Sequence, residues 1–405
     1  MGSGPLRGVR VCDFTWIGAG SYTTKLLADF GADVIKVESA TRLDPLRATA
    51  PFSGGTPGVN RSGYFADRNS SKRAIRLNLK KPRAQEIARR LVAQSQVVTN
   101  NFSPGIMDKL GLGYERVSQP HPELVYLSMS MQGADGPHSD YVGFGLTIAA
   151  LSGLFYLCGP EGRTPVGTGT NYPDHIPNPC HAAFAVLAAL YHARRTGRGQ
   201  FIDLSQTEPT TALLGAALID YTANGRVAER CGNDDPAAAP RGSYPCSGGE
   251  WIAISVRTDT EWQALQDFLG LAATLPQAEW RERPVRLARR RELDAALAAA
   301  TGTRDAGELA AQLQALGVAA ARVADIAHLV QEDPQLAHRG HWVRLEHPEM
   351  GRTIYNAPPL RLSRTDFRMD RPAPLLGQHT QEVCSGLLGM SDDEIRDCEQ
   401  DGVFD

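Results

Sequence analysis

The chain has 405 residues, room for more than one domain and a large core. Its net charge of −3, with 42% hydrophobic and 21% charged residues, is ordinary for a globular protein and lacks the basic bias of a nucleic-acid binder. No apolar run suffices to span a bilayer, no signal peptide is visible, and the seven irregularly spaced cysteines read as reduced thiols of a cytoplasmic protein.

Residues 1–4 (MGSG) are expected to carry no fold information. Residues 9–14 predict a buried strand, 22–30 a helix and 34–37 a second strand, a βαβ start. Residues 45–62, rich in Gly, Pro, Ser and Thr, predict an exposed loop. A strand at 74–79 is followed by a helix at 82–94 with Pro in its first turn. Strands at 97–99, 124–128 and 201–204 alternate with helices at 145–157 and 182–192, which argues for a mostly parallel, doubly wound α/β sheet. The texture then changes. A helix at 207–221 and a polar stretch at 224–245 suggest a linker over 206–245, after the N-terminal part of a large domain (1–205). A smaller α/β domain is expected over 246–325, with strands at 251–256 and 319–323 and helices at 260–269, 287–300 and 306–316. Residues 326–405 read as a return linker and the C-terminal part of the large domain.

Residues 169–205 carry the most chemistry. Asp174 sits among turn formers just before the Ala/Leu-rich helix, where unpaired N–H groups and the dipole favour an anion. Pro173, Pro177 and Pro179 stiffen that loop. On local pattern alone a helix cap is the commoner role, and a held, ionised nucleophile is the alternative. His175, Cys180 and His181 crowd the same loop. Their spacing fits no common zinc pattern, so no metal is expected, and a Cys180 thiol nucleophile is a further alternative. The loop at 17–24 (IGAGSYTT), with Glu38 twenty residues after Gly18, is similar to a dinucleotide fingerprint. Thr23 stands where the third glycine belongs, which makes the signal weak.

Asp174, the LAAL helix and the run RRTGRGQFIDLS that follows resemble the family III (CaiB/BaiF-type) CoA-transferases, the group containing formyl-CoA:oxalate and carnitine CoA-transferases. So do LRGVRVCDF at 6–14, LADFGADVIKVE at 27–38, NSSKR at 69–73, IRLNL at 75–79, NFSPG at 101–105, LGL at 110–112 and APLLGQHTQEV at 373–383. These blocks keep their order across nearly the whole chain. The resemblance implies a Rossmann-like large domain with a smaller inserted α/β domain, in an interlocked dimer. It implies coenzyme A, as acyl-CoA substrate, and Asp174 as nucleophile. It also implies an acyl-covering loop at Ile17, Gly18 and Ala19 whose N–H groups serve an oxyanion. Lys72, Arg73, Asn101, Phe102 and Lys109 are the implied CoA contacts, with Arg42 and Arg47 weaker candidates, and His379 is expected to be structural.

Three departures matter. The oxalate-directed enzymes carry Gln where this chain has Gly18, which puts oxalate and formate in doubt and leaves room for a larger acyl group. A CoA-contacting Arg of the family is replaced by Ser39. The α-methylacyl-CoA racemases of the same fold carry a proton-transferring His at the position of Phe144, and Phe moves no proton. CoA transfer is therefore expected, with a racemase-like isomerase or a CoA-binding partner subunit as alternatives. The YPDHIPNP loop is similar to a branch that includes succinyl-CoA-dependent transferases for aromatic succinates such as benzylsuccinate. Those pair two related subunits, one bearing the Asp. The expected partners are acyl-CoA and carboxylic acid substrates and a second copy or homologous subunit, with no nucleic acid or membrane.

Overall fold

In the computed structural model, which describes residues 4–405, six short parallel strands form one sheet in the order β3-β2-β1-β4-β5-β6. They are β1 (Arg10–Asp13), β2 (Asp33–Glu38), β3 (Arg73–Arg76), β4 (Val97–Asn100), β5 (Val125–Ser128) and β6 (Gln200–Asp203). Their central residues are mostly buried, because both faces of a parallel sheet are covered, and the edge strand β6 is the exception, largely exposed. In register, Val11, Val34 and Val97 point to one face and Cys12, Ile35 and Val98 to the other. The first face packs on α1 (Ile17–Asp29) through Ala19 and Leu27.

The connections continue with α2 (Gly63–Asn69), α3 (Pro82–Ala93), the short α4 (Ile106–Lys109) and α5 (Tyr114–Ser118), then α6 (Gly145–Leu151) and α7 (Leu154–Leu157). One helix was expected over 145–157. It breaks because Gly153 takes a left-handed φ of +85°. The single-turn α8 (Tyr172–His175) leads into α9 (Pro177–Thr196), which starts five residues before the expected 182. Pro177 and Pro179 fit its first turn, where no intrahelical N–H is needed. α9 packs Ala182, Val186 and Ala189 on the same sheet face as α1. The other face is covered by Ile87 and Leu91 of α3 and by Ile395 and Cys398 near the C-terminus. Gly4 is itself buried against Phe30 and Gly31, so part of the opening MGSG does carry fold information.

The chain divides into two units. One takes the chain through Phe155, Gly167–Val227 and Gln335–Asp405; the other takes Tyr156–Val166 and Ala228–Pro334. The helix expected over 207–221 is two helices of the first unit, α10 (Thr207–Ala212) and α11 (Gly215–Asn224), and the end of the stretch expected as a linker forms β7 (Arg241–Pro245) of the second. The second unit builds an antiparallel sheet β7-β8-β9 with β8 (Trp251–Ser255) and β9 (Ala319–Arg322), around its own core of Ile252, Trp262, Trp280, Leu293 and Leu313. In the first unit an unanticipated hairpin pairs β10 (Trp342–His347) with β11 (Gly351–Asn356). β10 alternates, with Val343 and Leu345 packed inward and Arg344 and Glu346 exposed, but β11 does not, since Ile354 is exposed, and so the sequence shows no paired strand pattern.

Strand order reverses between β1 and β4, and ligands of open α/β sheets bind at the carboxyl ends of such strands. Here the β1 end is fixed by a buried charge network. Asp13 Oδ1 accepts from the Thr15 N–H (2.9 Å), the Thr15 hydroxyl (2.6 Å) and Thr99 (3.1 Å). Its Oδ2 accepts from Thr24 (2.7 Å) and from the Lys72 ammonium (3.3 Å). Lys36 donates to the Thr15 carbonyl (2.6 Å) and pairs with Asp44 (3.0 Å). Two carboxylates face two ammonium groups, and all four side chains are fully buried. Burial opposes ionisation of Asp13, but Lys72, Lys36 and the two threonine hydroxyls hold it below the usual carboxylate range.

Asp13→Ala is expected to destabilise the protein by roughly 3–5 kcal/mol, since it leaves a buried ammonium uncompensated. The urea midpoint should fall accordingly, and an unchanged midpoint would show that the network holds nothing.

Candidate active site

Asp174 lies on α8, 5% exposed, with α1 and α6 closing over it. A Cβ on Gly18 would stand 2.5 Å from Asp174 Oδ2, and one on Gly145 would stand 2.9 Å from the same oxygen. A side chain at either position would force the Asp174 carboxylate to shift from the place it holds here. The two glycines belong to the starts of α1 and α6. The first-turn amides of α1 have no intrahelical partner, and the Trp16 side chain does not cap them. Burial pushes the Asp174 carboxyl up to about 6, against the opposing pull of the Arg68 cation.

The loop at Ile17, Gly18 and Ala19 lies against Asp174 through Gly18. Ile17 is held in a left-handed conformation (φ +57°), which a β-branched residue adopts only under tertiary constraint. The constraint is its N–H, which donates to Asp44 Oδ1 at 3.2 Å. The Ile17 amide is thus already used and corrects its expected oxyanion role. Gly18 and Ala19 are the next two residues of the α1 first turn.

Asn101 and Phe102 follow β4 and meet this loop. The Asn101 side chain accepts from the Trp16 N–H (2.8 Å) and donates to the Trp16 carbonyl (2.7 Å). Phe102 packs edge-on against the Trp16 ring at 5.5 Å, and the exposed Arg42 guanidinium lies 5.2 Å from that ring's centre. Trp16 was missed in the sequence, because its only signal was adjacency to the Gly loop. Lys109 is exposed at the end of α4.

The expected basic contacts need correction. Lys72 is wholly buried and donates to Asp13, the Ser21 carbonyl (2.8 Å) and Asn69 (2.9 Å), so all three of its donors are committed inside. Burial brings its ammonium down to about 8. Arg73 is spent on Asp33 (2.7 Å) and Glu382 (2.9 Å). Arg47 and Glu38 form a buried bidentate pair (2.8 and 2.7 Å), so Glu38 cannot serve a ribose as the dinucleotide pattern would require. His379 accepts from the Ala74 N–H (3.2 Å) and ties the C-terminal block to β3.

The other groups of the loop have their own partners. His175 receives the Arg68 guanidinium at Nε2, and burial followed by that cation lowers the imidazole to about 4. His181 bonds the Pro177 carbonyl through Nδ1 (2.7 Å). Cys180 is on an exposed residue, and desolvation pushes its thiol up, away from thiolate. Among the described residues no cluster of three His, Cys, Asp or Glu is placed to hold a metal ion. Phe144, 64% exposed, precedes Gly145 and offers no proton.

A family model for CoA-transferase family III matches residues 6–380. The chain belongs to this family. It is 32% identical over 392 residues to succinyl-CoA–D-citramalate CoA-transferase of Chloroflexus aurantiacus, covering 96% of both chains. It is 29% identical over 401 residues to human succinyl-CoA:glutarate CoA-transferase, covering 99% of this chain and 90% of the relative. A solved CAIB/BAIF family protein from Brucella suis superposes with a TM-score of 0.87 at 30% identity, covering 95% of this chain and all of that one. This family III CoA-transferase therefore acts on CoA thioesters and carboxylic acids. No helix among its described residues is long and apolar enough to cross a membrane.

Two predictions follow from the packing at Asp174. Gly18→Ala should displace the carboxylate and cost at least tenfold in turnover with the fold retained; wild-type turnover would show that the contact yields freely. Asp174→Asn should stabilise the protein. A carboxyl raised in the folded state makes its ionised form a burden above pH 6, worth about 1–3 kcal/mol at pH 7.5. The gain in melting temperature should shrink as pH falls from 6 and vanish below about pH 3, where the carboxyl is largely protonated in both states, and a pH-independent gain would refute the electrostatic cause.

Proposed function

We propose that this enzyme moves CoA from succinyl-CoA to a second carboxylic acid through covalent intermediates on Asp174. The observation that carries the reading is a buried carboxylate, pressed between two glycines at helix starts, with no strong donor bonded to its oxygens among the described residues. Such a carboxylate is desolvated, held in one orientation and raised toward neutral pH, which suits a nucleophile.

Asp174 attacks the thioester carbonyl, the C–S bond breaks and CoA leaves as thiolate, giving a mixed anhydride. The thiolate then attacks the Asp174 carbonyl and succinate leaves, giving an aspartyl-CoA thioester. The acceptor carboxylate attacks that thioester and displaces the thiolate again. Attack of the thiolate on the acceptor carbonyl yields the new acyl-CoA and restores Asp174. The free amides of Gly18 and Ala19 supply donors for the oxyanions, strengthened by the positive end of the thirteen-residue α1. Trp16, Asn101, Phe102, Arg42 and Lys109 line the proposed CoA path, with Arg42 and Lys109 as phosphate partners. Lys72 and Arg73 support that path from inside.

The named succinyl-CoA-dependent relatives support the donor. Beside Asp174 lies a cleft of about 230 Å³ whose lining includes Gly145, Leu146, Ala149 and Phe155. Apolar Leu146, Ala149 and Phe155 suit the ring of a bulky acyl group, Thr168, Thr170 and Asn171 on the same lining suit its polar end, and benzylsuccinate is the proposed acceptor. A racemase-like isomerase is disfavoured, since Phe144 carries no proton and His175 is engaged by Arg68. A non-catalytic partner subunit has no use for the buried nucleophile.

A second homologous chain is proposed as partner. α11 buries none of its residues although Leu218, Ile219 and Tyr221 lie on it, and Phe184, Leu187 and Tyr191 of α9 are exposed as well. One relative of the same family is named as a beta subunit, that of succinyl-CoA–L-malate CoA-transferase from Chloroflexus aurantiacus.

Asp174→Ala should fold and lose transfer by at least three orders of magnitude. Hydroxylamine added after succinyl-CoA should mark the peptide containing Asp174, read by mass spectrometry. Retained transfer, or a mark on Cys180, overturns the mechanism. With succinyl-CoA and a panel of acids, benzylsuccinyl-CoA should form without ATP; its absence beside other products overturns the acceptor and spares Asp174.

A further inference from the structure

Arg68 is 1% exposed, far below the norm for arginine, and sits on α2 rather than on the loop that bears Asp174. Its Nη1 donates to Asp67 Oδ2 at 2.6 Å, and its Nη2 donates to His175 Nε2. The guanidinium lies over the Tyr64 ring at 4.2 Å, and the Tyr22 ring stacks on His175 at 6.1 Å. Its Nε is buried without a hydrogen-bond partner among the described residues. Yet Arg68 makes no ion pair with Asp174, the residue just before His175. A buried cation is thus docked one residue from a buried carboxylate without bonding it.

We propose that Arg68 is the positioning residue that keeps Asp174 ionised, acting through space while His175 and Tyr64 hold the guanidinium off the carboxylate. The inference rests on Asp174 being the nucleophile. Distance is the point of the arrangement. A bidentate Arg–carboxylate pair would occupy the attacking oxygens and drop their basicity. No cation at all would leave a desolvated carboxyl more fully protonated at neutral pH. A cation in the next shell stabilises the charge and leaves the lone pairs free.

The other charged or titratable groups around Asp174 do not offer the same service. From α1 come Tyr22 and Lys25, the latter buried in its own pair with Asp29. α6 (GLTIAAL) carries no titratable side chain. From α9 come Cys180 and His181, and from α8 itself His175, kept neutral by burial and by Arg68. α2 adds Asp67, half-buried and pulling against Arg68, while its Oδ1 accepts from Asn356 (2.8 Å).

The test is the acid limb of kcat/KM, which reports the free enzyme's essential base. Wild type should lose activity with a midpoint near 6. Arg68→Gln should move that midpoint up by about one pH unit, so that kcat/KM at pH 6 falls roughly fivefold while the plateau above pH 8 recovers most of the rate. Arg68→Lys should restore the wild-type midpoint. Asp67→Asn, at a part-exposed site, should move the midpoint down, because it removes the charge that opposes Arg68. This variant keeps the test open should Arg68→Gln not fold. Opposite shifts in the two variants support the proposal. A midpoint unmoved in folded Arg68→Gln, or unmoved or raised in Asp67→Asn, overturns it. Hydroxylamine trapping in each variant separates this failure from failure of the nucleophile assignment: a labelled Asp174 with an unmoved midpoint sinks Arg68 alone, and an unlabelled Asp174 in wild type sinks the mechanism.

Discussion

Everything at the active site hangs on the neutralised pair of pairs under β1, Asp13 with Lys72 and Lys36 with Asp44. Four charges without water are tolerable only when each is matched and hydrogen-bonded, and here threonine hydroxyls and backbone groups fill the remaining valences. The return is rigidity. Asp44 holds the Ile17 amide, Lys36 holds the Thr15 carbonyl, and Asn101 clamps Trp16 from the neighbouring strand. The loop over Asp174 is therefore fixed from below by ionic bonds and from the side by an amide clamp. A loop so fixed can carry a left-handed isoleucine and bring a glycine against a carboxylate.

The same economy of charge appears at Asp174 with the opposite sign. Asp13 is buried and supplied with cations at contact distance, so it stays ionised and inert. Asp174 is buried and supplied with none at contact, so it is raised into the range where a carboxylate is basic enough to attack and still ionised near neutrality. Two buried aspartates of one domain are given opposite proton affinities by the placement of lysine and arginine around them. The stability lost by keeping Asp174 desolvated is borne by the parallel sheet and the cores on its two faces.

The corrected lysine illustrates how far resemblance carries. The NSSKR block does lie at the site, but Lys72 points inward to Asp13 and Arg73 to Asp33. A cation near a nucleotide-binding loop looks the same in sequence whether it faces phosphate or a buried carboxylate. The complementary charge that decides between them, Asp13, lies 59 residues away.

The sequence by itself determined the βαβ alternation, the parallel sheet and the Asp174 loop, because apolar runs, helix-start prolines and turn residues act over a few positions. It also carried the family, through motifs spread in order along the chain. It did not reveal the β10–β11 hairpin, whose second strand exposes apolar Ile354, nor the break at Gly153, nor strand β7 at the end of the supposed linker. Tertiary structure alone decided which charges are buried together. It alone placed Gly18 and Gly145, 127 residues apart, on the same oxygen of Asp174, and Arg68 beside His175. Those are long-range juxtapositions, set by strand order and helix packing, and electrostatics in a dry interior depends on distance rather than on sequence separation.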